Sequence, residues 1–357
     1  MRLGIDISQT VFPGGVSFYT KNLVHSLIKT DNKNSYKLFF SSLRQKLPEE
    51  FNKYEVSRYP IPPSLINLLW NKLHILPIDL ILKNIDVFHA SDWTQPPTKK
   101  VACVTTIHDL SFLDDPKSTH PKIYNAQTAR LKWVKKEVNQ IIAVSQSTKE
   151  EIIRLLKISE NKINVIYEAL NPDVKAYINT NQVKIDPKSV GINKPYMFAY
   201  GSPSPRKNID RLLNAFRLFN SSNDYQLVVA GNYSHKPINN VVFTGYLDRK
   251  TMLDLFSQSS AFAYPSTYEG FGLPILEAFA LNIPVLTSNC SSMKEISDDA
   301  ALLIDPMSEN DIESGIKKII ENESLRNNLI DKGKQRLKNF SWEKCAKETI
   351  KVYERAT

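Results

Sequence analysis

The chain has 357 residues, more than one domain usually contains, so two domains of ordinary size are predicted. Hydrophobic residues make up 42% and charged residues 23%, as in soluble globular proteins, and no run of about 18 apolar residues predicts a membrane-spanning helix. The net charge of +9 is uneven, because residues 1–175 carry 24 Lys and Arg against 17 Asp and Glu, and the remainder carries 22 against 20. A basic first half suits nucleic acid, an anionic membrane or a phosphorylated substrate, and an ordinary solvated surface explains it as well.

Three cysteines, Cys103, Cys290 and Cys345, lie far apart and have neither metal-binding nor disulfide spacing. They predict reduced thiols and a cytoplasmic location. The first residues, "MRLGIDISQT", lack the apolar stretch of a signal peptide, which agrees with that location.

Short apolar runs alternate with helical patterns along the first half of the chain. Strands are predicted for "RLGIDIS" (2–8), "YKLFFS", "DVFHAS", "VACVTTIHD" and "QIIAVS", with helices at 16–29 and 147–156. Repeated strand-then-helix order predicts a parallel sheet with helices on both faces.

A polar, weakly periodic stretch at 176–194 is the best linker candidate, and the strand–helix alternation resumes after it. Strands are predicted at 195–201, 225–231, 240–245, 260–266 and 283–288, with helices at 207–220 and 341–356. The predicted fold class is therefore α/β, with two Rossmann-like domains facing across a cleft. In such sheets, ligands bind beyond the carboxyl ends of the strands.

A loop with two glycines, "TVFPGGVSFY" (10–19), joins the first predicted strand to the first helix. Glycine lets backbone N–H groups approach a ligand closely, and a helix start carries partial positive charge suited to phosphate. Gly14 and Gly15 are thus candidate binding residues, with a plain turn as the alternative. They do not form the G-x-G-x-x-G dinucleotide fingerprint.

Two adjacent cations precede a helix in "YGSPSPRKNIDRLL" (200–213). The predicted strand ends at Gly201, and Arg206 and Lys207 stand at the helix entrance. Two permanent cations at this position suit a diphosphate, since the Arg guanidinium can donate hydrogen bonds to two oxygens at once. A solvated basic pair is the alternative, and the chain has no P-loop sequence.

Two glutamates flank a glycine-containing turn in "YPSTYEGFGLPILEAFA" (264–280). Glu269 is predicted in the loop beside Gly270 and Gly272, and Glu277 one to two turns into the next helix. A carboxylate accepts hydrogen bonds from hydroxyls and backbone amides donate them, so the turn suits a sugar. A glutamate that only complements the helix dipole is the alternative.

A histidine and an acid, His108 and Asp109, end the predicted strand in "VTTIHDLSF" (104–112). The carboxyl end of a strand is where a cleft residue is expected. A capped structural histidine explains the pattern equally well.

Taken together and in this order, the segments resemble retaining glycosyltransferase family 4, which has the GT-B fold. The resemblance covers nearly the whole chain and rests on Gly14-Gly15, "TIHDL", "GSPSPRKNIDRLLNAF", "PSTYEGFGLPILEAFA" and "TSNCSSMKEI". It implies an acceptor-side domain at 1–180 and a nucleotide-sugar-binding domain at 190–340. It also implies that a last helix at 341–357 packs back on the N-terminal domain.

The resemblance implies roles for individual residues. The implied catalytic residues are His108 at the donor sugar, Arg206 and Lys207 at its diphosphate, and Glu269 at the hydroxyls of the transferred sugar. The implied donor-binding residues are Gly14, Gly15, Gly201, Tyr246 in the base-binding stretch "FTGYL" (243–247), Gly270, Phe271, Gly272, Leu273, Leu276 and Glu277. Of these, Glu277 is expected to accept hydrogen bonds from the ribose, so the two glutamates serve two parts of one ligand.

The implied reaction is retaining transfer of a hexose from a nucleotide diphosphate sugar to a glycan or lipid-linked acceptor in O-antigen or capsule synthesis. GDP-mannose is the favoured donor, and UDP-sugars stay open. No cofactor and no metal are implied, and no Asp-x-Asp occurs in the chain. The alternatives are a nucleotide-sugar-binding regulator without transfer activity and a GT-B sugar-nucleotide epimerase.

Two segments of the basic half mix apolar and cationic residues: the leucine-rich stretch 64–82 with Trp70, and 129–138 with Trp133 and four cations. They suit peripheral contact with an anionic membrane at the inner face of the cell, or a lipid-linked sugar. Core packing explains the first segment and a solvated helix face explains the second. Nucleic acid is not an expected partner, because no recognition motif accompanies the charge.

Overall fold

A computed structural model describes residues 1–180, 184–221, 224–233 and 235–357. The chain forms two compact units, Met1–Ala169 with Ser341–Thr357, and Leu170–Phe340. The sequence places the boundary at 180–190, whereas the division falls at 169/170, because a helix at 172–178 packs on helices of the second unit. Residues 181–183 of the predicted linker lie outside the described part of the chain.

Each unit contains one parallel sheet. The strands are β1 Arg2–Asp6, β2 Ser35–Ser41, β3 Val56–Tyr59, β4 Val87–Ala90, β5 Ala102–Ile107, β6 Gln140–Ala143, β7 Ile163–Val165, β8 Tyr196–Gly201, β9 Gln226–Gly231, β10 Val241–Gly245, β11 Ala261–Tyr264, β12 Val285–Ser288 and β13 Leu302–Ile304. The first sheet has the order β3-β2-β1-β4-β5-β6-β7 and the second the order β10-β9-β8-β11-β12-β13. Every pairing among these strands is parallel, which confirms the predicted α/β class.

Helices connect and cover the strands. They are α1 Gly15–Thr30, α2 Pro63–Ile66, α3 Ile78–Ile81, α4 Ser111–Asp114, α5 Pro121–Glu137, α6 Gln146–Glu151, α7 Pro172–Ile178, α8 Ile209–Phe219, α9 Arg249–Ser257, α10 Leu273–Ala280, α11 Ser291–Ser297, α12 Glu309–Glu321, α13 Glu323–Leu337 and α14 Trp342–Ala356. Helix α2 continues in wider π-type turns to Lys72, and α6 does so to Leu156. None of the helices in the described part of the chain is long and apolar enough to cross a bilayer.

The last helix belongs to the first unit, where α14 packs on α1 and on the strands β5 and β6. Its buried residues recur at the three- and four-residue spacing of one helix face, and they include Cys345, Thr349, Val352 and Tyr353. The Tyr353 ring is fully buried, and its hydroxyl lies 2.8 Å from His89 Nδ1 on β4. The end of the chain thus completes the core of the unit that the start of the chain begins.

The second unit builds its core on α8 and α12, which pack side by side on its sheet. Aliphatic side chains from both helices, among them Leu212, Phe216, Ile312 and Ile316, cover β8, β9 and β12. Because helices cover the faces of parallel sheets in proteins, polar functional side chains are expected mainly at the ends of the strands.

Replacement of Tyr353 by alanine is expected to destabilise the first unit. The change removes a buried ring and leaves His89 Nδ1 without this partner, so the free energy of unfolding should fall by about 3–5 kcal/mol. Urea denaturation followed by circular dichroism measures the change. The exposed Lys351→Ala on the same helix is the control and should stay within about 0.5 kcal/mol of the wild type. Equal stability of both variants would show that α14 contributes little to this core.

Candidate functional site

The three charged residues predicted from separate loops meet in the second unit. Arg206 and Lys207 follow β8, and Glu269 follows β11, the neighbouring strand of the sheet. Arg206 Nη1 donates to Glu269 Oε2 at 2.7 Å, and Lys207 Nζ donates to Glu269 Oε1 at 2.7 Å. Each oxygen of one carboxylate therefore carries a different cation. We call these three residues the charged triad.

Backbone contacts hold the loops of the charged triad together. The Thr267 N–H donates to the Arg206 carbonyl at 2.8 Å, which joins the loop after β11 to the loop after β8. Asn208 starts α8 in the left-handed region at φ 59°, and its buried amide donates to the carbonyls of Pro265 and Pro306. Asparagine tolerates this backbone conformation better than most residues. The sequence analysis did not single out Asn208, because the predicted helix at 207–220 includes it and its partners lie 57 and 98 residues further along the chain.

Two serines hold the Glu269 backbone in place. Ser291 Oγ and Ser292 Oγ, at the start of α11, both donate to the Glu269 carbonyl at 2.8 Å. Both belong to the segment "TSNCSSMKEI", which contributes to the family resemblance but to whose hydroxyls the sequence analysis assigned no role. Their contribution depends on the neighbouring positions of β11 and β12 in the sheet, which no local pattern contains.

The charged triad carries a net charge of +1 when Glu269 is ionised. Burial raises the pKa of the Glu269 carboxyl, but the charges of Lys207 and Arg206 outweigh burial and hold that pKa below its ordinary value. Glu269 is largely buried, whereas the Arg206 side chain is 33% exposed. An excess of cation beside solvent suits an anionic ligand, because a ligand anion can replace the carboxylate as partner.

The turn after Glu269 is shaped by one glycine and one buried ring. Gly272 lies at φ 104°, a left-handed conformation that favours glycine, and it caps α10. The Phe271 side chain is buried and meets Phe340 edge to face at 5.9 Å. Phe271 thus anchors the turn through its ring, and Gly270 lies between it and Glu269.

The second glutamate, Glu277, lies on α10 in a separate polar cluster. Its Oε1 accepts from Arg249 Nη2 at 2.6 Å, and its Oε2 accepts from the Tyr200 hydroxyl at 2.8 Å. Arg249 also donates to both carboxylate oxygens of Asp173 on α7, at 2.8 and 3.1 Å. The sequence analysis missed Arg249, Tyr200 and Asp173, because they come from three distant elements.

The other predicted residues of the second unit differ in exposure. Leu276 is fully buried and Leu273 is half-buried, whereas Tyr246 is 90% exposed just after β10. Gly201 ends β8, where an added β-carbon would lie 2.7 Å from Val229 Cγ1. Close packing of β8 on β9 therefore requires glycine at position 201, whatever else the residue does.

The first unit holds the remaining predicted residues. His108 follows β5, and its Nδ1 lies 2.9 Å from Glu168 Oε1. The Tyr19 ring of α1 meets the imidazole edge to face at 4.7 Å. Gly14 precedes α1 with φ 134°, and Gly15 is the first residue of that helix, so both lie one turn before Tyr19.

Comparisons with known proteins match both units. The model described as Glycosyltransferase Family 4 matches residues 13–174, and the model described as Glycosyl transferases group 1 matches residues 182–336. O-antigen chain mannosyltransferase B of Escherichia coli is 30% identical over 288 residues, which cover 75% of this chain and 74% of that relative. O-antigen chain mannosyltransferase RfbU of Salmonella typhimurium is 28% identical over 245 residues, which cover 62% of this chain and 65% of that relative.

A solved structure agrees with the fold. The Anabaena protein HepE in complex with UDP and glucose superposes with a TM-score of 0.69, at 17% identity and with 99% of each chain covered. The α/β class with one Rossmann-like sheet in each unit, typical of GT-B glycosyltransferases, is confirmed. The chain belongs to glycosyltransferase family 4, and the predicted family is confirmed as well.

The charged triad predicts how stability depends on pH. Because the pKa of Glu269 is lowered in the folded protein, its contribution to stability is present above the ordinary pKa of 4.5 and is lost as the pH falls through the folded pKa. Glu269→Gln should therefore have a lower melting temperature than the wild type at pH 7. The difference between the two melting temperatures should become smaller as the pH falls below 4.5. Thermal melts across this range test the expectation.

The matched control for these melts is Glu321→Gln, which removes an exposed glutamate of the same unit. This variant should melt with the wild type across the whole range. If the melting temperatures of Glu269→Gln and the wild type differ by the same amount at every pH, the ion pairs of Glu269 do not cause the lower stability of the variant.

Proposed function

We propose that this glycosyltransferase moves a hexose, with retention of anomeric configuration, from a nucleotide diphosphate sugar to a glycan or lipid-linked acceptor in surface polysaccharide synthesis. GDP-mannose is the favoured donor, since two relatives are named O-antigen chain mannosyltransferases. A UDP-sugar is the alternative donor, supported by the Anabaena structure that contains UDP and glucose. The observation that carries the proposal is the convergence of Arg206 and Lys207 on Glu269.

The charged triad suits the departure of a diphosphate. As a glycosidic bond to phosphate breaks, negative charge grows on the leaving diphosphate and positive character grows on the sugar. Cations fixed in advance stabilise that negative charge without reorganisation during the reaction. In this proposal Arg206 and Lys207 take the diphosphate oxygens as partners and give up part of their contact with Glu269. The freed carboxylate oxygens then accept hydrogen bonds from hydroxyls of the transferred sugar.

The Glu277 cluster suits a ribose. An ionised carboxylate has about four acceptor positions, and Arg249 and Tyr200 occupy two of them. The remaining acceptor capacity matches the two hydroxyls of a ribose. Arg249, which Asp173 holds in place, would keep the carboxylate oriented while the nucleotide enters.

We expect GDP or UDP to raise the melting temperature of the wild type and Lys207→Ala to abolish the shift, because Lys207 supplies a diphosphate partner. The exposed Lys317→Ala in the same unit is the matched control and should keep the full shift. A screen of GDP, UDP, their hexose derivatives, NAD and ATP identifies the nucleotide. Stabilisation by NAD or ATP instead would contradict the proposed donor class.

Glu269→Ala is expected to bind the nucleotide and to lose turnover, since the carboxylate faces the sugar in this proposal. Loss of one positioned hydrogen-bonding group in an active site typically costs about 10²–10³ in kcat. Product formation measured by mass spectrometry, with the anomeric configuration determined by NMR, tests both the role and the retention. Full turnover would remove Glu269 from the reaction, and an inverted product would reject the retaining mechanism.

A groove in the first unit is a candidate acceptor site. It has a volume of about 580 Å³ and lies beyond the carboxyl ends of β1, β2 and β4. Exposed Phe12 and Trp93 contribute aromatic surface, Asp6 contributes a carboxylate, and Lys72 and Lys122 contribute cations. Aromatic surface with nearby polar groups suits the apolar faces and hydroxyls of a sugar. The cations suit the phosphate of a lipid-linked acceptor.

The first unit also carries a surface suited to an anionic membrane. Six aliphatic side chains between residues 65 and 80 are 39–55% exposed: Leu65, Leu68, Leu73, Ile75, Leu76 and Leu80. Helix α5 lies beside them, because the Trp133 indole N–H donates to the Asn71 carbonyl at 2.8 Å and His74 stacks on the Trp133 ring. Lys132 and Lys136 flank the same ring. We call this set of aliphatic and cationic residues the amphipathic surface.

The amphipathic surface combines the two interactions that hold peripheral proteins on bilayers, apolar insertion and electrostatic attraction. Exposed aliphatic groups gain by entering the lipid boundary, and each nearby cation adds about 1 kcal/mol on anionic lipid. Trp70 has a different role, since it is fully buried and donates to the Leu76 carbonyl. The leucine-rich segment thus contributes to the core through Trp70 and exposes its leucines.

Replacement of both Leu73 and Leu76 by glutamate should weaken binding to vesicles that contain anionic lipid by about tenfold or more, because apolar contact is lost and like charge is introduced. Flotation at low and high salt measures binding. Leu218→Glu, an exposed leucine of α8 in the second unit, is the matched control and should bind as the wild type does. Absence of salt-sensitive binding by the wild type would reject the membrane contact.

A further inference from the structure

A buried tyrosine of the second unit, which the sequence analysis did not single out, contacts the charged triad. Tyr264 is the last residue of β11 and is 3% exposed. Lys207 Nζ donates to the Tyr264 hydroxyl at 2.9 Å, and the same nitrogen lies 4.9 Å from the centre of the ring. Lys207 therefore contacts a hydroxyl in addition to the carboxylate of Glu269.

The sheet fixes the position of the Tyr264 ring. Tyr264 pairs with Thr287 of β12, whose hydroxyl donates to the Tyr264 carbonyl at 2.8 Å. The ring stacks on the fully buried Phe262 of the same strand, with 5.4 Å between the ring centres. A ring packed in this way has little room to move, whereas lysine has a flexible four-carbon stem. The Tyr264 hydroxyl is thus a fixed acceptor for a mobile cation.

The Tyr264 hydroxyl stays protonated at physiological pH. Burial first, and then the charge of Glu269 and a hydrogen bond with it, raise the pKa of this hydroxyl well above its ordinary value. The charge of Arg206 opposes the shift without reversing it. A protonated hydroxyl accepts through its oxygen and donates through its hydrogen, so Tyr264 can accept from Lys207 and donate to Glu269 at the same time.

The two acceptors of Lys207 respond differently to an incoming anion. The Glu269 carboxylate is charged, so a diphosphate beside Lys207 repels it and competes with it for the ammonium. The Tyr264 hydroxyl has no net charge, and an ammonium has three protons to donate. Lys207 can therefore keep its hydrogen bond to Tyr264 while its other protons turn to the diphosphate.

We propose that Tyr264 is a positioning residue that holds the Lys207 ammonium in place before and after a nucleoside diphosphate replaces Glu269 as its partner. The identity of the ligand rests on the proposed function, whereas the contact between Tyr264 and Lys207 does not. Without the hydroxyl, the long side chain of Lys207 must become ordered when the ligand binds, which lowers the affinity.

A double-mutant cycle on thermal stability tests the contact without any ligand. Tyr264→Phe keeps the ring and removes only the hydroxyl, so the melting temperature should fall by about 2–8 °C. In the Lys207→Met background the same change should have a much smaller effect, because the hydroxyl has already lost its cationic partner. Equal falls in both backgrounds overturn the proposal. Tyr264→Met gives the same comparison if the Phe variant does not fold.

Calorimetric titration with GDP and UDP tests the effect on the ligand. For the nucleotide that binds the wild type, Tyr264→Phe should raise the dissociation constant about tenfold or more, since a hydrogen bond to a charged group is lost. Tyr196→Phe is the matched control, because the Tyr196 hydroxyl donates to the Leu255 carbonyl at 2.6 Å and Tyr196 begins β8, at the end of the strand away from Lys207. This variant should lose stability and keep the wild-type affinity.

The outcomes separate a positioning role from a merely structural one. An unchanged dissociation constant in folded Tyr264→Phe overturns the proposal. An equal loss of affinity in Tyr196→Phe also overturns it, because any loosening of the unit would then have the same effect. Binding of neither nucleotide to the wild type rejects the proposed donors, while the double-mutant cycle still decides whether Tyr264 holds Lys207.

Discussion

One carboxylate that holds two cations is the interaction on which the second unit depends. Arg206 and Lys207 sit close together in a partly buried loop, where two like charges without a counter-charge would repel each other and pull the loop toward solvent. Glu269 supplies the missing counter-charge to both side chains. Because Glu269 offsets only one of the two positive charges, the charged triad keeps a net charge of +1, which suits a further anion. The same contact therefore stabilises the loops and, in the proposed function, holds both cations ready for the diphosphate.

The rest of the unit serves to hold this contact in place. Parallel order brings the ends of β8 and β11 side by side, Asn208 binds the first loop to the carbonyls of Pro265 and Pro306, and serines of α11 hold the Glu269 carbonyl. The first unit uses a related arrangement at its own sheet edge, where Glu168 orients His108. In both units a buried carboxylate pairs with a nitrogen-bearing side chain at the carboxyl edge of the sheet, and the sheet core supplies the rigid support.

One segment of the first unit, residues 64–82, lies partly in the core and partly on the surface. This leucine-rich segment contributes Trp70 to the core and exposes six aliphatic side chains. It therefore serves both the core and the surface of the unit. Its π-type turns at Asn67–Lys72 break the 3.6-residue repeat on which helix prediction from apolar spacing depends. Contact with α5 then places cations beside the exposed leucines.

The sequence by itself determined the α/β class, most strand and helix positions, the family and the three members of the charged triad, because these depend on local periodicity and on short motifs at strand ends. It did not determine the domain boundary at 169/170 or the residues Asn208, Ser291, Arg249 and Glu168. Each of these works through partners about 20 to nearly 100 residues away, or through contacts between distant helices. Only the tertiary structure decided them. The order of strands in a sheet brings together residues that are far apart in the chain, and the sequence around each residue does not indicate which distant residue it will contact.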